Sequence, residues 1–197
     1  SDCPVNGSRS PMQRDSVTEL GVLGLLAERD GAAAALQERF NHNFGRHQFV
    51  GRGRLDPTLA RLRDSGHVTE AYTAEAGTCS LTDQGHDRLR TLLREPVAAV
   101  DDPAHRPHFL VKLGFLHHLP ADEQAAELAH LEDQFHEARN EWLGIATMHR
   151  EELPSHESYR MELVELTADL LDAQLRWVQR LRDQVEPECG SKASMDG

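Results

Sequence analysis

The sequence predicts a mainly α-helical protein with one small β-hairpin and two domains. Apolar residues recur at intervals of three and four over most of the 197 residues, which is the spacing of a helix face. Only one short segment alternates apolar and polar residues as a strand does. A stretch with three prolines, residues 95–107, separates two helical halves. Because 39% of the residues are apolar and only 5% aromatic, the core is expected to be mostly aliphatic.

The first two helices follow a polar arm. Residues 1–14, rich in Ser, Pro and Gly, are expected to be disordered. The first helix is predicted to begin at Ser16, because Ser16 and Glu19 have the spacing of a capping box, and to stop at Gly31. The second is predicted over residues 32–43, where apolar residues stand four apart.

A third helix and a hairpin come next. The helix is predicted to begin near Arg54 and to close at Gly66, which is expected at the C′ position. The segment HVTEAY, residues 67–72, alternates as a strand, and CSL, residues 79–81, is the weaker return strand.

The hairpin leads into a fourth helix, predicted to be capped by Thr82 and Asp83. The order of three helices, a hairpin and a helix is that of a winged helix-turn-helix, which is therefore predicted for residues 15–95. Residues 96–107 are expected to be the inter-domain linker.

The second half is predicted to be a helical dimerisation domain, residues 108–186. The segment HFLVKLGFLHHL is apolar on most sides and is expected to be buried. Helices are predicted from Pro120 to about residue 150 and over residues 155–185, with a proline between them. Residues 187–197 are expected to form a disordered tail.

The last helix carries two apolar stripes, so it needs two neighbours. The chain itself can supply one, and a second subunit is predicted to supply the other, making a homodimer. The stripe predicted to lie against the chain consists of Leu171, Leu175, Val178 and Leu181, and the stripe predicted to dimerise includes Leu163, Leu166, Leu170 and Trp177.

The charge is distributed unevenly along the chain. The net charge is -12, but it is near -1 over residues 1–100 and near -11 beyond them. The segment from Arg39 to Arg63 contains six arginines and only one acid, Asp56. A basic island within an acidic protein indicates a DNA-binding surface, although a solvated charge cluster would have the same composition.

The third helix has residues suited to reading DNA. Arg54, Thr58 and Arg61 are spaced four and three apart and are expected to share one face. Arginine can bind guanine O6 and N7 together, and threonine can contact a thymine methyl in the major groove. Contacts to phosphate are predicted for the flanking arginines Arg39, Arg46 and Arg52.

These segments resemble the PadR family of transcriptional regulators. GRLDPTLARLRDSGHV, residues 53–68, resembles the family pattern G-T-L-Y-P-A-L-x-R-L-x-x-x-G-L-I without a gap. LGVLGLLAE at residues 20–28 is similar to the family's first helix, and SLTDQGHDRL at residues 80–89 to the segment that ends the wing. HFLVKLGFLHHLPADEQ, residues 108–124, and SYRMELVEL, residues 158–166, resemble its C-terminal domain.

The resemblance implies a dimer that binds a roughly palindromic operator in double-stranded DNA, with each third helix in a major groove. It also implies repression, with a small aromatic or phenolic effector releasing the DNA. We expect the effector to bind between the domains or at the dimer seam near Trp177, with Trp142 as the second candidate, although both tryptophans would equally suit a core.

The sequence departs from the family pattern in the DNA-binding region. Asp56 stands where the family has Tyr, and it would either repel phosphate or cap the third helix. Arg54 replaces a Thr and is expected to supply the lost phosphate contact. The wing carries Glu75 where the family has a basic tip, and residues 33–36 lack the family's aromatic residue.

Other classes of function are less well supported. Only one Glu-x-x-His motif is present, at Glu127 and His130, and no Cys-x-x-Cys pair occurs, so no metal or cofactor is predicted. No phosphate-binding loop, dinucleotide motif or nucleophile elbow is present, which argues against an enzyme. The chain is expected to be cytoplasmic and to have no membrane partner. The alternative function is a protein–protein adaptor whose winged helix no longer binds DNA.

Overall fold

The computed structural model describes residues 11–72, 77–152 and 158–192, and they form two compact units. The first unit contains residues up to 97 together with residues 104–119. The second contains residues 98–103 and the chain from residue 120 onward. Most of the predicted arm, the hairpin tip with Glu75, and the last five residues of the predicted tail lie outside the described residues.

The first unit has the element order of a winged helix. Its strands pair antiparallel, with Val68 opposite Leu81 and Tyr72 opposite Gly77. The predicted fold class, mainly α-helical with one hairpin, is confirmed. The elements are α1 (Pro11–Glu28), α2 (Ala33–Phe44), α3 (Arg52–Asp64), β1 (Val68–Tyr72), β2 (Gly77–Leu81), α4 (Asp83–Arg94), α5 (Arg106–Phe115) and a 3-10 turn (Leu116–His118).

The first helix begins earlier than the sequence predicted. α1 starts at Pro11, so Ser16 lies within the helix and cannot cap it. Glu19, the other half of the predicted capping box, pairs instead with Arg88 of α4 at 2.8 Å. The capping-box prediction is therefore wrong, because the polar residues before Ser16 continue the helix rather than ending it.

Two predicted boundary residues are confirmed. Gly66 has φ +75°, the left-handed region that favours glycine, and lies just past the end of α3. The N–H of His67 donates to the carbonyl of Leu62 at 2.9 Å, and that of Gly66 to Arg63, also at 2.9 Å. At the start of α4 the Thr82 hydroxyl accepts a hydrogen bond from the Gly85 N–H at 3.0 Å.

Helix α5 belongs to the first unit, although residues 106–107 were predicted to lie in the linker and residues 108–115 in the second domain. Phe115 packs so closely over Gly24 of α1 that a Cβ there would lie 2.4 Å from its ring. Its ring also lies 5.6 Å from that of Phe44. Lys112 is buried, and its Nζ donates to the Glu95 carbonyl at 2.8 Å. Most apolar side chains of α5 are therefore buried within the first unit.

The second unit is built on a helical hairpin of α6 (Ala121–Glu152) and α7 (Ser158–Lys192). Ion pairs join Glu132 to Arg182 and Arg139 to Asp172, in opposite order along the two helices, so the helices are antiparallel. α7 extends beyond residue 185 into the region expected to be a tail. The described residues contain no helix with the length and hydropathy needed to cross a bilayer.

Candidate functional site

Helix α3 is held by its apolar face. Leu55, Leu59 and Leu62 are each at most 3% exposed, and the helix packs against α1 and α2. Burying three leucine side chains stabilises the attachment by several kcal/mol, at about 1.5–3 kcal/mol each. Gly53, Pro57 and Arg61 of α3 are exposed, so the helix is packed on one face and open on the other, which suits a recognition surface.

Three arginines of this region form what we call the arginine trio: Arg46, in the turn after α2, and Arg54 and Arg61 on α3. Arg46 and Arg61 are exposed and Arg54 is half-buried. Among the residues that the structure describes, none of the three makes an ion pair. Their positive charges are therefore available to an external anion.

Arg52 and Asp56 form an ion pair at 3.2 Å, one turn apart on the exposed side of α3. The helix begins at Arg52, two residues before its predicted start, with Gly51 as the N-cap. Asp56 consequently lies in the second turn, and the N-cap has no side-chain hydrogen bond. The suggestion that Asp56 caps α3 is wrong, and its charge is balanced by Arg52 instead.

Thr58 lies on the buried side of α3, not on the exposed face with Arg54 and Arg61. It is 1% exposed, and its hydroxyl donates to the Arg54 carbonyl at 2.9 Å. Its position explains this, since it follows Leu55 by three residues and precedes Leu62 by four. The predicted three-residue reading face is thus reduced to its two arginines.

Arg39 is engaged at the end of α1. Its guanidinium donates to the Leu25 carbonyl at 2.9 Å and to the Arg29 carbonyl at 3.0 Å, and it pairs with Glu28 at 3.1 Å. A cation at a helix C-terminus is favourable because the last carbonyls carry partial negative charge. Arg39 therefore joins α2 to α1, and its side chain is only 20% exposed.

The described part of the wing carries paired charges. Arg63, in the last turn of α3, forms an ion pair with Glu70 of β1. The Tyr72 hydroxyl donates to the same carboxylate at 3.1 Å, while the tyrosine side chain itself is exposed. This arrangement stiffens the junction of α3 with the hairpin and leaves Arg63 less available to phosphate.

An open cleft of about 720 Å³ borders Arg61. Its walls include Glu19 and Arg88, which pair with each other, and Ser65, whose hydroxyl lies 2.7 Å from His67 Nδ1. Two acidic residues and two arginines line the cleft, and neither tryptophan does. It therefore does not match the effector site expected near Trp177 or Trp142.

The two stripes of α7 lie in different surroundings. Leu171, Leu175 and Val178 are buried against α6 within the unit. Leu163, Leu166 and Leu170 are 63%, 54% and 57% exposed. We call these three the leucine stripe, and its spacing of three and four residues places it along one face of the helix.

The tryptophans lie on the two helices of the same unit. Trp177 follows Leu170 by seven residues, so it continues the leucine stripe, and it is partly buried. Trp142 on α6 is also partly buried, and its indole N–H donates to Asp101 at 3.2 Å. Both present part of an aromatic ring to solvent in this unit.

Burial shifts the pKa values of two other titratable groups, Cys79 and His108. Burial raises the pKa of the Cys79 thiol, which makes it a poor nucleophile near neutral pH. Burial, with the charges of Lys112 and His105, lowers the pKa of His108 to about 4. Within the described ranges no three His, Cys, Asp or Glu side chains are placed to hold a metal ion.

Sequence reasoning missed two residues of the α3 surface. Phe49, in the turn before α3, is 69% exposed. A Cβ added to Gly53, in the first turn, would meet nothing within 4 Å. The sequence does show an aromatic residue, Phe49, and a glycine, Gly53, within the basic island. Periodicity alone does not reveal that they are exposed.

No family model and no curated protein matches the chain. Among solved structures the chain is similar to PadR from Bacillus subtilis in complex with p-coumaric acid, at 17% identity and a TM-score of 0.40, over 91% of this chain and 99% of that one. The complex of the same protein with operator DNA matches at 18% identity and 0.40, over 86% and 99%. The Vibrio cholerae virulence activator AphA matches at 20% identity and 0.37, over 89% and 99%. At these low values the function must be inferred from the residues of this chain.

Proposed function

We propose that the chain is a sequence-specific transcriptional regulator that binds double-stranded DNA as a homodimer. The observation that carries the proposal is the arginine trio on the helix-turn-helix. The chain has 33 acidic residues for 21 basic ones, so acids that could pair with these arginines are abundant. Three arginines that form no ion pair among the described residues match a polyanion, and DNA phosphate is the partner with that charge density.

The exposed side of α3 supports major-groove reading. Arg54 and Arg61 are seven residues apart, so they lie about 10.5 Å apart along one side of the helix. Each can bind guanine O6 and N7 bidentately. Arg46, in the turn after α2, and Arg52, the first residue of α3, are proposed to contact phosphate. Arg39 and Thr58 face inward and are proposed to position α2 and α3 rather than to touch DNA.

The leucine stripe supports the homodimer. Contiguous exposed leucines are rare on monomers and mark interaction surfaces. We infer that the stripe, with Trp177, packs against its copy in a second subunit. A two-fold dimer presents two α3 helices to DNA, and half-sites about 34 Å apart would make the operator roughly palindromic.

Repression and release by an aromatic effector are the finer part of the proposal. The motif resemblance to PadR implies repression. Trp177 offers a partly open aromatic surface beside the leucine stripe, where a planar molecule can stack. Trp142 is the second candidate. An effector bound at the seam releases DNA only if it favours one dimer geometry over the other.

DNA binding is tested by fluorescence polarisation with a labelled fragment from upstream of the protein's own gene. Affinity should fall steeply with salt, because phosphate contacts release counterions. Arg54→Ala and Arg61→Ala should each weaken binding by about 1–3 kcal/mol. The matched control is Arg90→Ala, which removes an exposed arginine of α4 that pairs with Asp87 at 3.1 Å. If both α3 variants bind as the control does, the recognition surface is elsewhere.

The effector is tested by titrating aromatic compounds while following tryptophan fluorescence and operator release together. Quenching with release, lost in Trp177→Ala, supports the proposed site. Release that survives in both Trp177→Ala and Trp142→Ala contradicts it.

A protein–protein adaptor is the second candidate function. The observation that favours it is the wing, where Arg63 is paired with Glu70 and so contributes little to binding phosphate. An adaptor would show no salt-dependent binding to any duplex, while still forming the dimer through α7. The polarisation measurement therefore separates the two functions.

A further inference from the structure

Phe49 projects from a turn that is fixed on both sides. Its neighbour Val50 is fully buried, and its N–H and carbonyl are both bound by the Asn41 amide, at 2.8 and 2.9 Å. The Gln37 amide donates to the same carbonyl at 3.2 Å. On the other side Gln48 is buried, and its N–H donates to the Phe44 carbonyl at 2.8 Å. The backbone thus holds an exposed phenyl ring in a set position.

The surroundings of the ring are unusually open. Gly51, the N-cap of α3, has no side chain, and a Cβ placed there would lie 3.9 Å from the Phe49 ring. Gly53, in the first turn, faces open space. The other side chains nearby in the chain that are not buried include His47 and the arginines Arg46, Arg52 and Arg54. The surface before and at the start of α3 therefore combines one apolar ring with cationic groups and two glycines, so that another molecule can approach closely.

We propose that Phe49 is a specificity-determining residue that contacts the C5-methyl group of a thymine in the major groove. The inference rests on the proposed DNA-binding function and identifies one base that the protein would recognise. Phenylalanine has no hydrogen-bonding group, and the other features of the major-groove edge are mostly donors and acceptors. Against base donors and acceptors, the phenyl ring would leave those polar groups without hydrogen bonds. Against a thymine methyl, two apolar groups are removed from water, which is favourable.

The charge of the surface decides between DNA and an apolar protein partner. An apolar protein groove would have to accommodate Arg46, Arg52 and Arg54 beside the ring, with only Asp56 as a local counter-charge. On DNA the same arginines meet phosphates or guanines while the ring meets the methyl. The turn lies at the N-terminal end of α3, the end that contacts base edges in helix-turn-helix proteins.

The test is a thermodynamic cycle between one side chain and one methyl group. A duplex is selected by the wild-type protein from a randomised pool, and each thymine is replaced in turn by deoxyuridine, which lacks only the methyl. At one thymine in each half-site the wild-type protein should lose about fourfold in affinity, the equivalent of about 0.8 kcal/mol for one buried methyl. Phe49→Ala should bind the thymine and uracil duplexes equally at that position.

Two further variants make the cycle specific. Phe49→Leu keeps an apolar group and should retain part of the discrimination. Tyr72→Ala removes another exposed aromatic side chain, 80% exposed on the wing, and should keep the full fourfold effect. Circular dichroism checks folding, which should be unchanged because Phe49 is mostly outside the core.

The outcomes separate this inference from the proposed function. If the wild-type protein retains no duplex from the pool, both are overturned. If it selects a duplex but no thymine-to-uracil change weakens binding, or if Phe49→Ala discriminates as well as wild type, only the methyl contact is overturned.

Discussion

Gly53 lies in the first turn of α3, and a Cβ there would meet nothing within 4 Å beyond its chain neighbours and the adjacent helix backbone. Glycine in a helix is less favourable than alanine by up to about 1 kcal/mol, because it loses more backbone freedom on folding. In the first turn of a helix we expect at least about half of this free-energy difference. Gly53→Ala should therefore raise the free energy of unfolding by about 0.5–1 kcal/mol.

DNA affinity should change in the opposite direction. If the backbone of the first turn approaches DNA closely, the added methyl occupies the space that the duplex needs. We expect the affinity for the operator to fall about tenfold, comparable to the loss of one contact of about 1–3 kcal/mol. Stability is measured by urea unfolding, and affinity by polarisation on the same preparations.

The structure provides a matched control in Gly144. It lies in α6, in the second unit, and a Cβ added there also meets nothing within 4 Å. Gly144→Ala should stabilise the protein by about 1 kcal/mol, as expected within a helix, and leave DNA affinity unchanged. If Gly53→Ala is stabilised but binds DNA as tightly as Gly144→Ala, the close approach at α3 is refuted.

Four further predictions concern dimerisation, charge, capping and pH. Leu170→Glu should convert the dimer to a monomer in light scattering, because a charge would be buried in the leucine stripe, whereas a dimer that persists places the interface elsewhere. Asp56→Asn should tighten DNA binding by freeing Arg52, and weaker binding in polarisation would show that the ion pair positions that arginine. Thr82→Ala should lower the free energy of unfolding by about 0.5–2 kcal/mol in urea, through loss of the α4 cap, and an unchanged midpoint would count against that cap. The pKa of His108 is about 4 when folded and 6.5 ordinarily, so below pH 6.5 the unfolded state takes up more protons. Stability should fall as the pH drops from 6.5 to 4, and His108→Phe should flatten this part of the pH profile.

Features that depend on local chemistry could be predicted from the sequence. Gly66 was predictable because a helix that ends in the left-handed conformation needs a glycine. Thr82 was predictable because a hydroxyl ahead of a helix can satisfy an N–H of the first turn. The two stripes of α7 were predictable because helical spacing alone assigns residues to faces.

Features that depend on tertiary packing could not be predicted from the sequence. Thr58 is at the edge of the leucine face, and only the contacts of α3 decide that it turns inward. Arg39 belongs to a basic island in the sequence, yet its partners are carbonyls ten and more residues away. The exposure of Phe49 depends on the amide of Asn41, which binds the backbone of the next residue, Val50, and so fixes the turn. Each outcome is set by tertiary contacts that periodicity does not encode.

The packing of Phe115 over Gly24 determines how the chain can be divided. A fragment ending at residue 95 would keep every element of the winged helix but would uncover the surface of α1 that Phe115 covers. It would also leave the Glu95 carbonyl without the Lys112 ammonium group. Such a fragment is expected to self-associate in expression trials, whereas one ending at Leu119 should remain dispersed. Helix α5 is therefore needed to cover the apolar surface of α1 in the first unit.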